Sequence, residues 1–320
     1  MSIFLHEHAE QVDQAAARIR GHVRRTPTLT TDVDAVLRLK PECFQVTGSF
    51  KPRGAFNAVL SIVARGERPA GVIAVSSGNH AQAVALAASS VGIPALILIP
   101  EDANPAKVAA TRALGAEVIQ EGITFVNREQ RLREVMAERG YMLVHPFDDW
   151  DVIHGQGTAA RELLQDAPDL EVIAAPVGGG GLLAGTAISA KRHRGTVKVI
   201  GVEPAAADDA FRTWRTGSIQ TLPSSPTTLA DGVRTTSVGK RNFEVMFEHG
   251  LVDEIVTVSE EEIAAAVDIA WARLHLALEP TGALTLAAFL GGKLPRAHRL
   301  GLIFSGGNAN MQTVATILGK

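Results

Sequence analysis

The sequence has few features of secreted, membrane-bound or metal-cluster proteins. Cys43 is its only cysteine, which excludes an intramolecular disulfide and a cluster of thiolate ligands. No apolar stretch approaches the roughly 20 residues that a membrane-spanning helix requires. The N-terminal segment contains acidic and histidine side chains and lacks the basic-then-apolar order of a secretion signal. We therefore expect a cytoplasmic protein.

An excess of charge of either sign is also absent. The 31 basic and 34 acidic residues give a net charge of −3, and no long block carries a single sign. This balance argues against nucleic acid or an anionic membrane as a partner. The 320 residues are 46% hydrophobic, which is enough to build a large core in one or two domains.

Short runs of β-branched residues alternate with helical patterns along most of the chain. The runs predicted as strands are residues 72–75, 95–99, 117–119, 141–144, 172–177, 197–202 and 302–304. Nearly all-apolar strands separated by helices are typical of parallel sheets covered on both faces. The prediction is an α/β fold with two lobes, a large one from residues 1–66 and 149–320 and a small one from residues 67–148.

The most informative residue is Lys51, which follows Gly48-Ser49-Phe50 in a mostly uncharged stretch. A lysine withdrawn from water loses the solvation that favours its ammonium form, so its pKa falls and its amine becomes a usable nucleophile. Lysines of this kind hold pyridoxal phosphate through a Schiff base. Taken alone, a lysine in such a short motif is more often a surface charge at the start of a helix.

Two turns lie between a predicted strand and a predicted helix, where backbone N–H groups can face an anion. The turn at residues 76–80 adds hydroxyl and amide groups and suits a carboxylate, although it could equally cap the helix. The turn at residues 178–182 has four glycines, which let backbone amides surround a phosphate. It lacks the motifs of dinucleotide-binding and P-loop proteins, so nucleotide binding is the weaker hypothesis, and a flexible turn is the alternative.

Two more segments carry candidate polar groups. Ser305 follows the last predicted strand, at the end where open α/β sheets bind ligands, and its hydroxyl could face a ring nitrogen. Its alternative role is to cap the terminal helix. Glu203 and Asp209 flank a turn of small residues, and their carboxylates could bind a hard divalent cation with a backbone carbonyl and waters. A solvated acidic turn is the more common explanation of such a pair taken alone.

Together these motifs resemble the fold-type II pyridoxal-phosphate enzymes, and in particular the branch of serine/threonine dehydratases and serine racemases. The resemblance extends from Thr26-Pro27 to Ser305-Gly306-Gly307-Asn308, with the motifs in the family's order. It includes Gly155-Gln156-Gly157-Thr158, Ala230-Asp231-Gly232-Val233 and Glu279-Pro280-Thr281-Gly282. It implies a two-lobed fold like that of the tryptophan synthase β subunit, pyridoxal 5′-phosphate between the lobes, and a homodimer.

The resemblance also implies a role for each motif. Lys51 resembles the Schiff-base lysine, and Phe50 resembles the side chain that packs on the pyridine ring. Asn79 resembles the partner of the ring's 3-hydroxyl group, and Ser305 resembles the partner of its nitrogen. The implied phosphate cradle comprises Gly178, Gly179, Gly180, Gly181 and Leu182. The implied substrate-binding loop comprises Ser76, Ser77, Gly78, Asn79 and His80.

Three finer implications come from the same resemblance. In racemase-like members, the serine at the position of Ser77 acts as an acid and base on the face opposite the lysine. The divalent-cation site of this branch, for Mg²⁺, Mn²⁺ or Ca²⁺, is similar to Glu203, the carbonyl of Ala207 and Asp209. Phe147 is more like the residue of threonine dehydratases than that of serine racemases, which favours dehydration.

The implied reaction is the deamination of a β-hydroxy amino acid, with L-threonine and L-serine as the leading substrates. Lys51 removes the Cα proton as general base, the β-hydroxyl leaves, and hydrolysis gives a 2-oxo acid and ammonia. A serine at the ring nitrogen is a weak proton donor, which favours elimination over transamination. The alternatives are 3-hydroxyaspartate dehydration and serine racemisation, while a cysteine-synthase type of replacement fits the motifs less well. A non-catalytic protein that binds the cofactor or an amino acid is the rival from another class.

Overall fold

The computed structural model describes residues 2–67, 69–103, 105–124 and 126–319. Its helices are α1 (Ile3–Arg18), α2 (Lys51–Ala64), α3 (Asn79–Ser90), α4 (Pro105–Ala113), α5 (Arg128–Arg139), α6 (Trp150–Asp166), α7 (Gly181–His193), α8 (Asp209–Thr216), α9 (Lys240–Phe243), α10 (Glu260–Ala272), α11 (Leu284–Leu290) and α12 (Met311–Leu318). Its strands are β1 (Leu37–Pro41), β2 (Val72–Val75), β3 (Ala95–Leu98), β4 (Glu117–Ile119), β5 (Met142–Leu143), β6 (Val172–Pro176), β7 (Lys198–Pro204), β8 (Glu254–Val258) and β9 (Leu300–Phe304). Within these residues, no helix is both long enough and apolar enough to cross a membrane.

The strands form two parallel sheets. The five-stranded sheet has the order β1-β9-β6-β7-β8, and the four-stranded sheet has the order β4-β3-β2-β5. In the larger sheet, Ala174 of β6 lies beside Ile200 of β7 on one side and Leu302 of β9 on the other. Every residue of β6 is buried, as expected for a central parallel strand. The predicted α/β fold with parallel sheets is confirmed.

Helices cover both faces of the larger sheet. On one face, α1, α6 and α7 pack against the strands, for example through Leu163 and Leu183 around Ile173. On the other face, α10 and α11 pack through Ile263 and Leu286. The apolar residues of each strand are therefore removed from water on both sides, which is the main source of the sheet's stability.

The smaller sheet has its own core. One face packs against α2 and α3, and the other packs against α5. All four of its strands lie between residues 72 and 143, inside the range 67–148 that the sequence predicts as the small lobe. We propose on this basis that residues 67–148 form a separate lobe and that the rest of the chain forms the larger one.

Glycines bring α2, α6 and α7 into backbone contact. A Cβ atom on Gly155 of α6 would collide with the carbonyl of Arg53 in α2, and one on Gly185 of α7 would collide with the carbonyl of Ile153 in α6. Only glycine permits this close approach. Because α2 begins at Lys51, the contact fixes the position of that lysine relative to the helices that cover the larger sheet.

The sequence missed two strands at the edges of the larger sheet, β1 and β8. Strand β1 has Arg38 and Lys40 at alternate positions and Pro41 at its end, so it lacks the apolar pattern of a buried strand. Lys40 is nevertheless buried, because its Nζ donates to Glu162 of α6 at 2.7 Å. The ion pair compensates for the burial of the charge, and it is invisible in the local sequence.

Candidate active site

Lys51 is the first residue of α2, and its side chain is partly withdrawn from solvent. Its Nζ donates to the carbonyl of Pro146 at 2.8 Å and lies 5.1 Å from the centre of the Phe50 ring. Burial lowers the pKa of this amine to about 8, and the carboxylate of Glu279 partly opposes the shift. The amine is therefore a better nucleophile and base near neutral pH than an exposed lysine.

The loop before α2 is held against the turn that follows β9. The N–H of Phe50 donates to the carbonyl of Ser305 at 3.0 Å, and the N–H of Gly307 donates to the carbonyl of Gly48 at 2.9 Å. Thr47 has a φ of 59°, in the left-handed region that a β-branched residue rarely adopts. These contacts fix the direction in which α2 enters the site.

Ser305 is buried at the carboxyl end of β9. Its hydroxyl donates to the carbonyl of Thr281 at 3.4 Å, which is a long hydrogen bond. The alternative role of Ser305 as the cap of α12 is wrong, because the side chain of Asn310 caps that helix by accepting from the N–H of Gln312. The hydroxyl of Ser305 therefore retains acceptor capacity for a further partner.

The four glycines join β6 to α7, and Gly180 has a φ of 99°. The carbonyl of Gly179 accepts from Asn242 Nδ2 at 2.7 Å and from the N–H of Gly239 at 3.0 Å. The first N–H groups of α7, which begin at Gly181 and Leu182, have no acceptor within the helix. The loop thus has a satisfied carbonyl and, as far as the described ranges extend, N–H donors without a partner, which suits an anion.

Two further side chains, Phe147 and Thr235, lie beside the glycine loop, a contact that the sequence did not indicate for either. The ring of Phe147 packs on Gly179, where any Cβ atom would collide with it. Thr235 Oγ1 lies 3.2 Å from the position that a Cβ on Gly178 would occupy, and among the described residues it is buried without a hydrogen-bond partner. An unpaired buried hydroxyl next to free N–H groups fits a phosphate, because a phosphate oxygen could accept from all of them.

The turn at residues 76–80 leads from β2 into α3. Gly78 precedes the helix, and no side chain in the described ranges caps its first N–H groups, so the alternative role of this turn as a helix cap is wrong. The N–H of Gly78 donates to Ser76 Oγ at 3.2 Å. Ser77 is exposed and, within the described chain, has no hydrogen bond to the other predicted site residues. The structure therefore brings Ser76 and Gly78 together but leaves Ser77 facing solvent.

Two neutral histidines lie near Lys51. His80 Nε2 donates to the carbonyl of Val144 at 2.8 Å, and burial together with the lysine charge lowers the pKa of His80 to about 3. Burial lowers the pKa of His145 to about 4, although Asp148 opposes the shift. Both imidazoles are therefore uncharged near pH 7 and act through hydrogen bonds.

Asn79, the first residue of α3, contacts two residues from distant parts of the chain. Its side chain is hydrogen-bonded to Glu279 and Asn308, both at 2.8 Å. Burial and the nearby Asp231 raise the pKa of Glu279 to about 7. The motifs containing Glu279 and Asn308 were recognised in the sequence, but nothing in their local pattern indicated that they meet at Asn79.

Glu203 and Asp209 form a second site at the end of β7. Both side chains are fully buried, so the alternative of a solvated acidic turn is wrong. Glu203 accepts from the N–H of Phe211 at 2.6 Å and from that of Ala210 at 3.3 Å, whereas neither carboxylate oxygen of Asp209 has a partner in the described part of the chain. Burial raises the pKa of both groups, to about 7 for Asp209, and the charge of Asp209 further raises that of Glu203.

The chemistry of this pair suits a cation. Ala207, whose carbonyl is the third predicted ligand, is also buried. The described residues contain no cluster of three or more His, Cys, Asp or Glu side chains suited to a metal ion. A cation here would accordingly take two carboxylates and complete its shell with a carbonyl and water.

Comparison with known proteins gives the class of the protein first. The chain belongs to the family of pyridoxal-phosphate dependent enzymes, whose model matches residues 19–306. This confirms the resemblance found in the sequence.

Individual relatives are similar over nearly the whole chain. The L-threo-3-hydroxyaspartate ammonia-lyase of Saccharomyces cerevisiae is 42% identical, covering 95% of this chain and 94% of that protein. The serine racemase of Schizosaccharomyces pombe is 40% identical, covering 97% of each. Among solved structures, the T.th. threonine deaminase has a TM-score of 0.89 and 48% identity, covering 94% of this chain and 98% of that one.

Proposed function

We propose that the protein is a pyridoxal-phosphate dependent ammonia-lyase that deaminates a β-hydroxy amino acid, with L-threonine or L-serine as the leading substrate. The observation that carries the proposal is the amine of Lys51, partly withdrawn from solvent beside the carbonyl of Pro146, whose lowered pKa suits both attachment to the cofactor and proton transfer. The ammonia-lyase and deaminase among its relatives support this reaction type.

The residues at the site fit the cofactor. The free N–H groups of the loop Gly178, Gly179, Gly180, Gly181 and Leu182, with the hydroxyl of Thr235, would hold its phosphate. Phe50 would pack on the ring, and Asn79 would face the 3-hydroxyl group. Ser305 would face the ring nitrogen with a neutral hydroxyl, which cannot protonate it fully. We expect this to favour elimination of a β-leaving group over transamination.

When bound, pyridoxal phosphate withdraws electrons from an amino acid joined to its aldehyde carbon and so acidifies the Cα–H bond. Lys51 Nζ accepts that proton once the amino acid has taken its place. With a pKa of about 8, roughly a tenth of the free amines are neutral at pH 7. The carbonyl of Pro146 gives the released amine a hydrogen-bond partner, and the N–H groups at the start of α3 would bind the substrate carboxylate.

A panel of amino acids tests the proposed reaction. The protein loaded with cofactor is expected to release equal amounts of 2-oxo acid and ammonia from L-threonine or L-serine, and none from L-alanine, which lacks a β-leaving group. The 2-oxo acid would be measured with a coupled dehydrogenase, and the chirality of the remaining serine by chromatography.

The same panel separates the alternatives. Preference for L-threo-3-hydroxyaspartate would identify the first alternative, and accumulation of D-serine without ammonia would identify a racemase that uses Lys51 with Ser77. If a cofactor-loaded protein gave neither 2-oxo acid nor D-amino acid from any β-hydroxy amino acid, the enzyme proposal would fail. The non-catalytic binding protein would then be the better explanation.

We also propose that Glu203, the carbonyl of Ala207 and Asp209 bind a divalent cation, with Mg²⁺ as the first candidate and Mn²⁺ or Ca²⁺ as substitutes. Support comes from the two buried carboxylates, of which that of Asp209 has no partner among the described residues. A cation would stabilise the ionised form of both groups and so offset the cost of their burial.

The cation proposal predicts a pH-dependent stability. A carboxyl whose pKa is raised by folding stabilises the native state at low pH, and this stability is lost as the pH rises through the folded-state pKa. Without a cation, the free energy of unfolding is expected to fall between about pH 4 and the pKa of about 7 for Asp209. At a pH above that range, Mg²⁺ at a hundred times its Kd should raise the free energy of unfolding by about 2.7 kcal/mol.

Thermal unfolding with Mg²⁺ or a chelator, at pH 5 and pH 8, measures this effect. Asp209→Asn is the matched control, since it keeps the shape of the side chain and removes the charge. An equal response to Mg²⁺ at the two pH values, or an undiminished response in the variant, would contradict the assignment.

We further propose that the protein acts as a homodimer in the cytoplasm. The dimer rests on the resemblance to the enzyme family, and light scattering of the purified protein would measure it.

A further inference from the structure

Three side chains, Asn79, Glu279 and Asn308, form a hydrogen-bonded cluster that we name the carboxamide clamp. Asn79 Nδ2 donates to Glu279 Oε1 at 2.8 Å, and Asn308 Nδ2 donates to Asn79 Oδ1 at 2.8 Å. Glu279 is buried, and its charge is close enough to Lys51 to influence the pKa of that amine. The clamp therefore lies beside the lysine that the cofactor would occupy.

The clamp determines which way the carboxamide of Asn79 faces. A carboxamide has two N–H donors and one oxygen with two lone pairs that can accept. One N–H of Asn79 is used by Glu279, and the oxygen is used by Asn308. Reversing the amide would set its oxygen against the Glu279 oxygen and its NH₂ group against that of Asn308, so both hydrogen bonds would be lost. Asn79 keeps one lone pair of its oxygen and its second N–H, and this N–H is the one donor it has left to offer an acceptor atom of a ligand.

Asn308 is itself anchored. Its Nδ2 also donates to the carbonyl of Thr47 at 2.6 Å. Its Oδ1 packs on Gly48, where a Cβ atom would collide with it. Asn308 thus connects the loop that precedes Lys51 to the side chain of Asn79, and it cannot move without disturbing both.

The clamp also joins the two sheets. Asn79 begins α3, which follows strand β2 of the four-stranded sheet, whereas Asn308 follows strand β9 of the five-stranded sheet. The orientation of Asn79 is consequently set by residues from the other part of the molecule, 200 or more positions away in sequence.

We propose that Asn308 and Glu279 are positioning residues that hold the carboxamide of Asn79 in the orientation in which its remaining N–H donates to the 3-oxygen of the bound cofactor. The inference rests on the proposed function insofar as it takes the ligand to be pyridoxal phosphate. An N–H donor favours the ionised form of the 3-oxygen, because hydrogen bonds to a charged acceptor are stronger than those to a neutral one.

The test compares two cofactor analogues on the full-length chain from which cofactor has been removed. The first is 4′-deoxypyridoxine 5′-phosphate, which has the 3-hydroxyl group but no aldehyde and cannot bond to Lys51. The second is the same compound without the 3-hydroxyl. Asn308→Ala is expected to weaken binding of the first analogue about tenfold, the usual effect of losing one oriented hydrogen bond, and of the second less than about twofold.

A second readout is spectroscopic. The absorbance of the bound first analogue reports ionisation of its 3-hydroxyl group. The pKa of this 3-hydroxyl group is expected to be about one unit higher in Asn308→Ala than in the unaltered protein, because a tenfold change in affinity for the ionised form corresponds to one pKa unit. Asn308→Asp, which keeps the shape but presents an acceptor to Asn79 Oδ1, should behave like the alanine variant. Gln312→Ala, at an exposed position on α12, is the matched control and should change neither quantity.

If Asn308→Ala weakened the binding of both analogues equally, the proposal would be overturned. The variant would then have a general structural defect and no specific effect at the 3-oxygen. An unchanged 3-hydroxyl pKa in Asn308→Ala would overturn it as well. If Asn308→Ala does not fold, Glu279→Leu removes the clamp from its other side and is expected to give the same discrimination. The assay contains no amino acid, so failure of the lyase proposal would leave the clamp result intact, and the reverse also holds.

Discussion

Lys51→Ala is expected to abolish covalent attachment of pyridoxal phosphate and to lower turnover by at least about 10³-fold. The variant loses the amine placed at the start of α2 between Phe50 and the carbonyl of Pro146. It therefore loses the proposed general base, a role that alone contributes about 10² to 10⁴ in rate, as well as the proposed attachment point. The visible absorbance of the purified protein and the rate of 2-oxo acid formation measure the two effects.

Two variants serve as controls for this experiment. Lys51→Arg keeps a positive charge and a long side chain but provides no amine that can condense with an aldehyde, so it should be as inactive as the alanine variant. Lys198→Ala removes an exposed lysine at the start of β7 and should leave absorbance and activity unchanged. Retention of the covalent absorbance in Lys51→Ala would mean that another lysine holds the cofactor.

The second large effect is expected at Arg53, two positions after Lys51. Its guanidinium is fully buried and donates to Glu42 at 2.7 Å and to Glu162 at 2.8 Å. Lys40 is buried in the same network and pairs with Glu162. Arg53→Met leaves two carboxylates with one cation, and breaking a buried pair in this way costs about 3–5 kcal/mol. Urea unfolding would measure the loss.

The pH dependence of this variant follows from Glu42. Burial alone would raise the pKa of Glu42, but Arg53, Thr26 and Lys40 outweigh that effect and lower it. A depressed carboxyl pKa contributes stability that is present above the unfolded-state value of about 4.3 and is lost as the pH falls through the folded-state value. The difference in the free energy of unfolding between the unaltered protein and Arg53→Met should therefore become smaller as the pH falls below the unfolded-state pKa of Glu42. A loss that does not change with pH would contradict the electrostatic explanation.

Arg139→Met gives the matched control for the network. Arg139 pairs with Glu117 at 2.8 Å, but the side chain of Arg139 is 35% exposed and that of Glu117 is 51% exposed. Exposed ion pairs contribute about 0–1 kcal/mol, because water and salt screen them. A loss at Arg139 as large as that at Arg53 would show that burial is not what makes the network strong.

The sequence predicted those parts of the fold in which local pattern and tertiary environment agree. Strands β2, β3 and β6 are apolar on both faces and were recognised as such. Strands β1 and β8 were missed because edge strands of a parallel sheet carry polar residues, and in β1 the charge of Lys40 is balanced by a residue 122 positions away.

The candidate site likewise has some features that local motifs predict and others that depend on distant contacts. The position of Lys51 at a helix start, and of the glycines between a strand and a helix, follow from short local motifs. The clamp on Asn79 and the hydroxyl of Thr235 depend on contacts between distant segments, so no local motif could indicate them. Chemistry-bearing residues could be named from the sequence, whereas the residues that orient them could not.

The glycine contacts between α2, α6 and α7 have a consequence for how an amino acid enters. Where the backbones of two helices touch, no side chains lie between them that could repack. Lys51, at the start of α2, is therefore held rigidly relative to α6 and α7. If the site opens, we expect the loop at residues 76–80, which precedes α3, to move and α2 to stay in place. Among the described residues, the hydrogen bonds that such a motion would break include those of Asn79 to Glu279 and to Asn308, both at 2.8 Å, and that of Lys107 to Asp231 at 2.6 Å. The loop that would bind the substrate could then adjust its position, while Lys51, the proposed proton acceptor, stays in place.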